Sequence, residues 1–556
     1  MDYSRRKFIK HSGLLTALAY LPIQLSCANS SKRPNVVLFF SDEMDPTYLG
    51  YGGGNYPTPN FDVLASQGVR FTNAFACAAM CTPSRYGLLT GQYPGRCSHP
   101  KFREDYPTDQ AYSVGWNSYI DESIQTLPGI LSENGYITGM VGKWHIGPSG
   151  LQADEYFAQL DENAKTITPE MNENLKKHQQ RLQRLIEKEA GFDHARSVIW
   201  TNNDDFKVKQ LSNHNFPWVT KGAVDLLEEF KSQDKPFFLY VASTAVHGPH
   251  HGESLDYDMR NTQEGRIDDV LQYSPDVAKI KSAIKGMSKF ESYKYAGMAE
   301  LDNQVGILMN KLKELDLEDN TIFIFMSDHN VEPGKASCYQ QGLHIPAIIR
   351  WPAQIEAGIS SSSLIQNVDI MPTILEVAGV EKPTDTKIDG TSLLPLINGT
   401  KNKVRDYIFA DSGYARSVSN GKYKYIAFRP PQDVVDGMAD GTVKYAPNFL
   451  NVFKQAHSQI SIEYYPNYFD QDQLYDLEAD PYEQNNLAYN DEYASVLKDM
   501  QEVLSNHLAT FENSYNLERI PFMETGAYRR LTARTKKIGT NFISWWRGRK
   551  INFPPQ

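Results

Sequence analysis

The run Asn35-Val36-Val37-Leu38-Phe39-Phe40 and its abrupt end in Ser41-Asp42-Glu43 decide the fold class. Uninterrupted β-branched and aromatic residues read as a strand covered on both faces, as in a parallel sheet. Three further runs share that character. Thr321-Ile322-Phe323-Ile324-Phe325-Met326 ends in Ser327-Asp328-His329-Asn330, and Tyr136 to Val141 runs into Gly142-Lys143-Trp144-His145. Pro236-Phe237-Phe238-Leu239-Tyr240-Val241 runs towards His247. Helical patterns separate them, for example Ala223 to Phe230 and Met298 to Leu315. Alternating strands and helices predict an α/β fold on an open, mostly parallel sheet flanked by helices. Ligands of such sheets bind beyond the carboxyl ends of the strands. Carboxylates, imidazoles and an ammonium are therefore expected around one crevice.

Working outward, composition narrows the function. With 12% aromatic residues the chain of 556 is no disordered segment. A mean hydropathy of -0.49, with no mature apolar stretch of membrane-spanning length, excludes a polytopic membrane protein. Lys plus Arg number 56 against 67 Asp plus Glu, a net charge of -11, which argues against a nucleic-acid partner. An anionic substrate needs a local cation cluster or a metal. Cys27, Cys77, Cys81, Cys97 and Cys338 have neither disulfide-scaffold nor zinc-finger spacing. One Asp after a strand is usually a turn residue. Several carboxylates together with imidazole suit a hard divalent cation, calcium or magnesium rather than zinc.

Cys81-Thr82-Pro83-Ser84-Arg85 carries the most specific signal, extended by Tyr86-Gly87-Leu88-Leu89-Thr90-Gly91. With these residues the chain resembles the type I sulfatases of the alkaline phosphatase superfamily, whose signature is Cys (or Ser)-x-Pro-x-Arg. Thr58-Pro59-Asn60-Phe61, Gly68-Val69-Arg70-Phe71, Val368-Asp369-Ile370-Met371-Pro372-Thr373 and Gln473-Leu474-Tyr475-Asp476-Leu477 fall in the family's order. The resemblance implies an alkaline-phosphatase-like sheet with a smaller C-terminal α+β subdomain on an antiparallel sheet. It also implies that a maturation enzyme oxidises Cys81 to formylglycine. Chemistry explains the need: a plain hydroxyl attacking sulfur would end as a stable sulfate ester. A hydrated aldehyde has a second hydroxyl, whose deprotonation breaks the C–O bond to sulfate and regenerates the aldehyde.

The remaining roles follow from the resemblance, position by position. Asp42, Glu43, Asp328 and His329 match metal ligands, completed by the oxidised Cys81, with calcium the expected ion and magnesium the alternative. Arg85 matches the arginine that orients the formylglycine. Lys143 and Lys335 match lysines that hold sulfate oxygens. His145 matches the residue beside the formylglycine, a base for sulfate release. His247, in His-x-Pro spacing, matches the histidine that protonates the departing oxygen; His250 and His251 lack that spacing. Two positions depart from the family. Glu43 stands where Asp is usual, and Asn330 replaces a Gly, a change Asn tolerates if the position is left-handed.

Residues 1–28 read as a twin-arginine export signal, from Ser4-Arg5-Arg6-Lys7-Phe8 and the apolar run Gly13 to Leu25. Cleavage after Ala28 gives a periplasmic or secreted enzyme, and a lipid anchor at Cys27 is the alternative. Residues 33–400 are assigned to the catalytic domain, 401–515 to the C-terminal subdomain and 516–556 to an extension. Within the insertion 151–190, the stretch Pro169 to Ala190 reads as a surface helix with a narrow apolar stripe of Leu175, Leu182, Leu185 and Ile186, a lid near the pocket being the alternative. From Arg529 the tail has eight basic residues and no acidic one, interleaved with Phe542, Trp545, Trp546 and Phe553. It fits either a sulfated sugar chain or the acidic body. The expected activity is hydrolysis of sulfate esters on a sulfated oligo- or polysaccharide, of algal or glycosaminoglycan type. A formylglycine-dependent phosphonate or phosphodiester hydrolase and an inactive glycan-binding protein are the alternatives.

Overall fold

The four strands read from sequence lie side by side at the centre of one sheet. The computed structural model describes residues 33–147, 153–331, 333–440, 464–513 and 515–520. The export signal with Cys27 and the basic tail from Arg529 lie outside the described residues. The strands in chain order are β1 (Asn35–Ser41), β2 (Val69–Phe75), β3 (Ile137–Lys143), β4 (His194–Ile199) and β5 (Phe237–Ala242). A small hairpin, β6 (Asn261–Thr262) with β7 (Gly265–Arg266), stands apart, followed by β8 (Thr321–Ser327), β9 (His344–Arg350), β10 (Ile359–Ser361) and β11 (Ile365–Gln366). The large sheet has the order β10-β2-β9-β8-β1-β5-β3-β4, with β11 also on β2. From β8 to β4 it is parallel; β9 runs antiparallel to both β8 and β2.

Period-two alternation divides each central strand between two cores. Val36, Leu38 and Phe40 of β1 join the core with Tyr86, Leu88 and Leu89 of the helix Cys81–Thr90. Val37 and Phe39 join the other, with Leu226, Leu227 and Phe230 of the helix Phe216–Lys231 and Met298, Leu301 and Val305 of the helix Lys289–Glu314. Register makes the strands end level: Ser41 pairs with Ser327, and Ala242 pairs with both Phe40 and Gly142. Asp42, Lys143 and Asp328 consequently emerge at one height. Gly142 has φ 89°, and a Cβ there would stand 2.0 Å from the Ala242 carbonyl oxygen, so only glycine fits. Between Val141 and Gly142 the register against β4 shifts by one, the extra residue being Ser197 of β4, with φ 48°.

The helix Pro169–Ala190 has the bounds read from sequence, set by the Thr168 cap, Pro169 in the first turn and left-handed Gly191. Its packed face is broader and more polar than the expected apolar stripe. Asn174, His178 and Gln179 are buried with Leu175, Leu182 and Ile186, whereas Leu185 is only half-buried. His178 bonds Asp154 at 3.0 Å and Asn174 reaches the Gln159 side chain, while Gln179 faces the edge strand β4. Gln179 donates to the Val198 carbonyl (2.8 Å) and accepts from the Val198 N–H (3.1 Å), pairing with the edge as another strand would.

After the helix Leu394–Ile397 the chain enters a second, antiparallel sheet in the order β12 (Ile408–Ser412), β13 (Ala415–Ser419), β14 (Tyr423–Phe428), β15 (Asp472–Asp476). One face takes Met500, Leu504 and Leu508 of the helix Ala494–Leu508. The other packs Ile408, Ala410, Ile426 and Tyr475 around Ala79, Cys338 and Tyr339. It therefore backs the segments just before Cys81 and just after Lys335.

Candidate active site

Cys81 is the first residue of its helix and is buried, at 1% exposure. Its Sγ lies 3.3 Å from His329 Nε2, 3.7 Å from Asp42 Oδ1 and 3.7 Å from Lys143 Nζ. Asn367 fixes the helix, donating to the Ser84 carbonyl and hydroxyl (both 2.9 Å) and accepting from the Cys77 N–H (2.9 Å). Ser84 in turn donates to the Asp328 carbonyl, which ties the helix to the end of β8.

Asp42, Cys81, Asp328 and His329 each present an atom that could bind a metal, all within 4.8 Å of one another. The donor chemistry fits a divalent cation. Both carboxylates are fully buried, and His329 Nδ1 donates to the Asn330 carbonyl (2.6 Å), which leaves Nε2 as the lone-pair donor facing Cys81. Burial alone would raise the Asp42 carboxyl, but Lys143, His247 and Arg85 outweigh it and hold it well below the usual range. Burial works against the charged form of His329, yet Asp328 and Cys81 raise it to about 9, so Nε2 carries a proton that cation binding would displace. Glu43 stands outside this group: its Oε2 pairs with Lys335 Nζ at 3.1 Å and lies 3.8 Å from His247 Nε2.

Arg85 spans the two carboxylates, 3.0 Å from Asp328 and 3.5 Å from Asp42, and donates to the Tyr240 hydroxyl at 3.2 Å. The Lys143 ammonium binds Asp42 and also the Asn202 side-chain oxygen at 2.6 Å. Among the described residues His145 Nδ1 is buried without a partner, while the His145 carbonyl accepts from Thr82 Oγ1 at 2.7 Å. Burial and then Lys143 hold the His145 imidazole well below its ordinary pKa, so it is a neutral base. His247 Nδ1 donates to the Gly248 carbonyl at 3.1 Å, so any proton it offers the crevice is on Nε2. Burial, Lys335 and Lys143 depress it to about 3. A sulfate monoester between those two ammoniums, with its single negative charge, would offset part of their field and shift His247 back upward.

Geometry separates the three neighbouring histidines. His250 caps a short helix and reaches the Lys289 carbonyl, while His251 is fully buried and stacks on His214 with centroids 3.9 Å apart. The left-handed backbone allowed for at Asn330 is not used: its φ is not positive. Its side chain is bonded locally, donating to the His344 carbonyl and accepting from the Val331 N–H, both at 2.6 Å. Glu43, His145 and Ala336 do adopt left-handed backbone, at φ 60°, 53° and 61°. Such strain in non-glycine residues gathers at functional sites. Sequence reasoning missed Asn202, Tyr240 and Asn367. Asn202 lies three residues beyond β4 and Asn367 directly before the quoted Val368 block, whereas Tyr240 looks like any other aromatic in a buried strand.

Comparison with known proteins follows the same lines. A family model described as sulfatase matches residues 34–380, and one described as N-sulphoglucosamine sulphohydrolase, C-terminal, matches 334–436. An ulvan-active sulfatase of Formosa agariphila is 27% identical over 491 residues, covering 84% of this chain and 80% of that protein. An N-acetylgalactosamine-6-O-sulfatase of Bacteroides thetaiotaomicron is 26% identical, covering 87% and 95%. Human arylsulfatase A is 29% identical, covering 82% and 84%. A solved structure described as in complex with its substrate, D-glucosamine-2-N,6-O-disulfate, has a TM-score of 0.55 at 22% identity, covering 88% and 100%. A phosphonate monoester hydrolase of Agrobacterium radiobacter has the same TM-score at 19% identity, covering 86% and 96%. The two structures share the fold; at that identity they do not separate sulfate from phosphonate chemistry.

Proposed function

Because the chain belongs to the sulfatase family, and is thereby a sulfuric ester hydrolase, we propose that it removes sulfate from a sulfated oligo- or polysaccharide after Cys81 is oxidised to formylglycine. The observation that carries this is the buried Cys81 thiol, at a helix start, within 3.7 Å of Asp42, His329 and Lys143. The sulfated-sugar substrate rests on the relatives, which include sulfatases named for ulvan and for N-acetylgalactosamine. Export to the periplasm, or anchoring at Cys27, rests on the sequence signal alone.

Asp42, Asp328 and His329, with the oxidised Cys81, would hold one calcium or magnesium ion. Glu43 would join them by turning from Lys335. The cation supplies Lewis acidity for the nucleophile and charge for sulfate oxygens. Oxidised and hydrated, Cys81 supplies two hydroxyls, one for attack on sulfur and one for sulfate release. Arg85 fixes both carboxylates and so the direction of attack. Lys143 and Lys335 bind sulfate oxygens, Lys335 being freed when Glu43 turns. His247 gives a proton from Nε2 to the departing sugar oxygen, and His145 takes one through its open Nδ1.

The test is direct. Peptide mass after co-expression with a maturation enzyme should show the thiol-to-aldehyde change at Cys81. The converted protein should prefer an aryl sulfate to an aryl phosphonate or phosphodiester. Chelation should abolish turnover, with calcium or magnesium restoring it, and Asp328→Ala should lower kcat by about 10⁴-fold or more. Preference for the phosphorus ester would replace this reading with the phosphonate-hydrolase one.

A further inference from the structure

A buried ammonium in the wall of the crevice has no work in the chemistry above. Lys294 lies in the second turn of the helix Lys289–Glu314 and is 4% exposed. Among the described residues its ammonium has neither an ion pair nor a hydrogen bond. It is walled by rings: Nζ lies 4.8 Å from the centroid of Tyr293, 5.5 Å from Tyr48 and 5.9 Å from Phe290. Two of those rings tie it to the reacting groups. Tyr48 is on the loop that begins with Asp42-Glu43, and the Tyr293 hydroxyl donates at 2.7 Å to the carbonyl of Val246, next to His247. Phe290, half exposed, forms the outer edge.

The nearby carboxylates are engaged elsewhere. Glu43 pairs with Lys335, and Asp45 accepts from Thr47 and from Gln341 at 2.9 Å. Ring faces attract an ammonium but offset only part of its lost hydration. Burial, joined by the like charge of Lys335, pulls Lys294 down to about 8, against the opposing fields of Glu43, Asp45 and Asp42. A buried cation with spare capacity, aromatic walls and a place between the Glu43 and His247 loops is built to receive an anion.

We propose that Lys294 is a specificity residue that binds a second anionic substituent, a carboxylate or a further sulfate, on the sugar whose sulfate is cleaved or on its neighbour. This rests on the sulfatase reading. Lys143 and Lys335 take the scissile sulfate, Lys294 takes the second anion, and the rim around half-exposed Phe290 offers an apolar face to the ring. The preferred substrate is thus an oligosaccharide unit with two anionic groups, not an isolated sulfate ester.

The experiment compares kcat/KM of wild type, Lys294→Met and Lys294→Arg on three substrates. They are a monosulfated hexosamine, its disulfated counterpart, and a monosulfated hexosamine joined to a uronate. Wild type should prefer a dianionic substrate. Lys294→Met should cut that preference by about 10–100-fold, the worth of a hydrogen bond to a charged group, mostly through KM. Lys294→Arg should keep most of it. Whichever dianionic substrate loses its advantage identifies the second anion as sulfate or carboxylate. The same ratios, read as Kd by calorimetry in a Cys81→Ala background, report on Lys294 even without turnover. Wild type that hydrolyses no sulfate ester would overturn the sulfatase reading. An active wild type without a dianion preference, or a Lys294→Met loss equal on all substrates, would overturn the role given to Lys294.

Discussion

Both sheets bury charges, but they treat them differently. In the second sheet the charged groups close on one another. Lys424 donates to Glu483 at 2.8 Å and to the Cys338 carbonyl at 3.0 Å, and Glu483 also accepts from the Gln340 N–H. Arg429 binds Asp472, which also takes Tyr425 and Arg519. At the carboxyl ends of the large sheet the groups stay open. Arg85, Lys143 and Lys335 share Asp42, Glu43 and Asp328; among the described residues Lys294 has no ion pair, and Arg85 Nε and His145 Nδ1 have no hydrogen-bond partner. Closed charge networks hold structure. A network with spare donors costs stability by itself and is repaid when a cation and an anionic ester enter. The difference therefore marks which buried charges are for folding and which for chemistry.

The largest effect that would break this contrast is at His247. If it belongs to the open set as proton donor, His247→Ala should lower the rate on a sugar sulfate by about 10²–10⁴-fold. A nitrophenyl sulfate, whose leaving group needs little protonation, should fall far less. Intact folding should be verified by melting temperature. An equal loss on both substrates would remove His247 as the acid and leave it a structural neighbour of Glu43.

Much of that open set could be read from the chain. β1, β3, β5 and β8 are covered on both faces, so β1, β5 and β8 are apolar almost throughout and β3 departs only by Thr138 and small glycines, and the polar residue that follows each run is conspicuous. Level strand ends then follow from parallel register. What the sequence conceals is pairing across distance. Glu43 and Lys335 are 292 positions apart, and nothing local says that the carboxylate rests on the ammonium. Whether Asn330, standing where glycine is usual, uses a left-handed backbone was open from the sequence; it keeps an ordinary one, with its side chain bonded to His344 and Val331. Lys294 was invisible for a different reason: a lysine in a helical pattern is normally solvated, and only the packing of Tyr48, Phe290 and Tyr293 encloses it.

The closed set makes the opposite prediction, one of stability without activity. Lys424 and Glu483 are each 1% exposed. Glu483→Gln would leave the ammonium buried with a neutral partner, and breaking such a pair costs about 3–5 kcal/mol. The urea midpoint should drop accordingly, while kcat/KM of the protein that remains folded should be unchanged. A large fall in kcat/KM at unchanged stability would mean that the second sheet takes part in the site through Cys338 and Lys335, and the division drawn above would fail.

The smallest effect sharpens the rule by removing charge altogether. Gln179 closes the free edge of β4 with two neutral hydrogen bonds to Val198, a residue with no exposure. Gln179→Leu keeps much of the volume but strands the Val198 N–H and carbonyl away from water. Each group left unpaired costs about 1–3 kcal/mol. The helix Pro169–Ala190 has other anchors in Leu175, Leu182 and Ile186, so it should stay docked and the loss should appear only in the urea midpoint. Hydrogen exchange at Val198 should quicken more than at Val141, on the neighbouring strand β3. If the midpoint and the Val198 exchange rate both stayed at wild-type values, water or a shifted helix would be replacing the bonds, and Gln179 would not be what closes this edge.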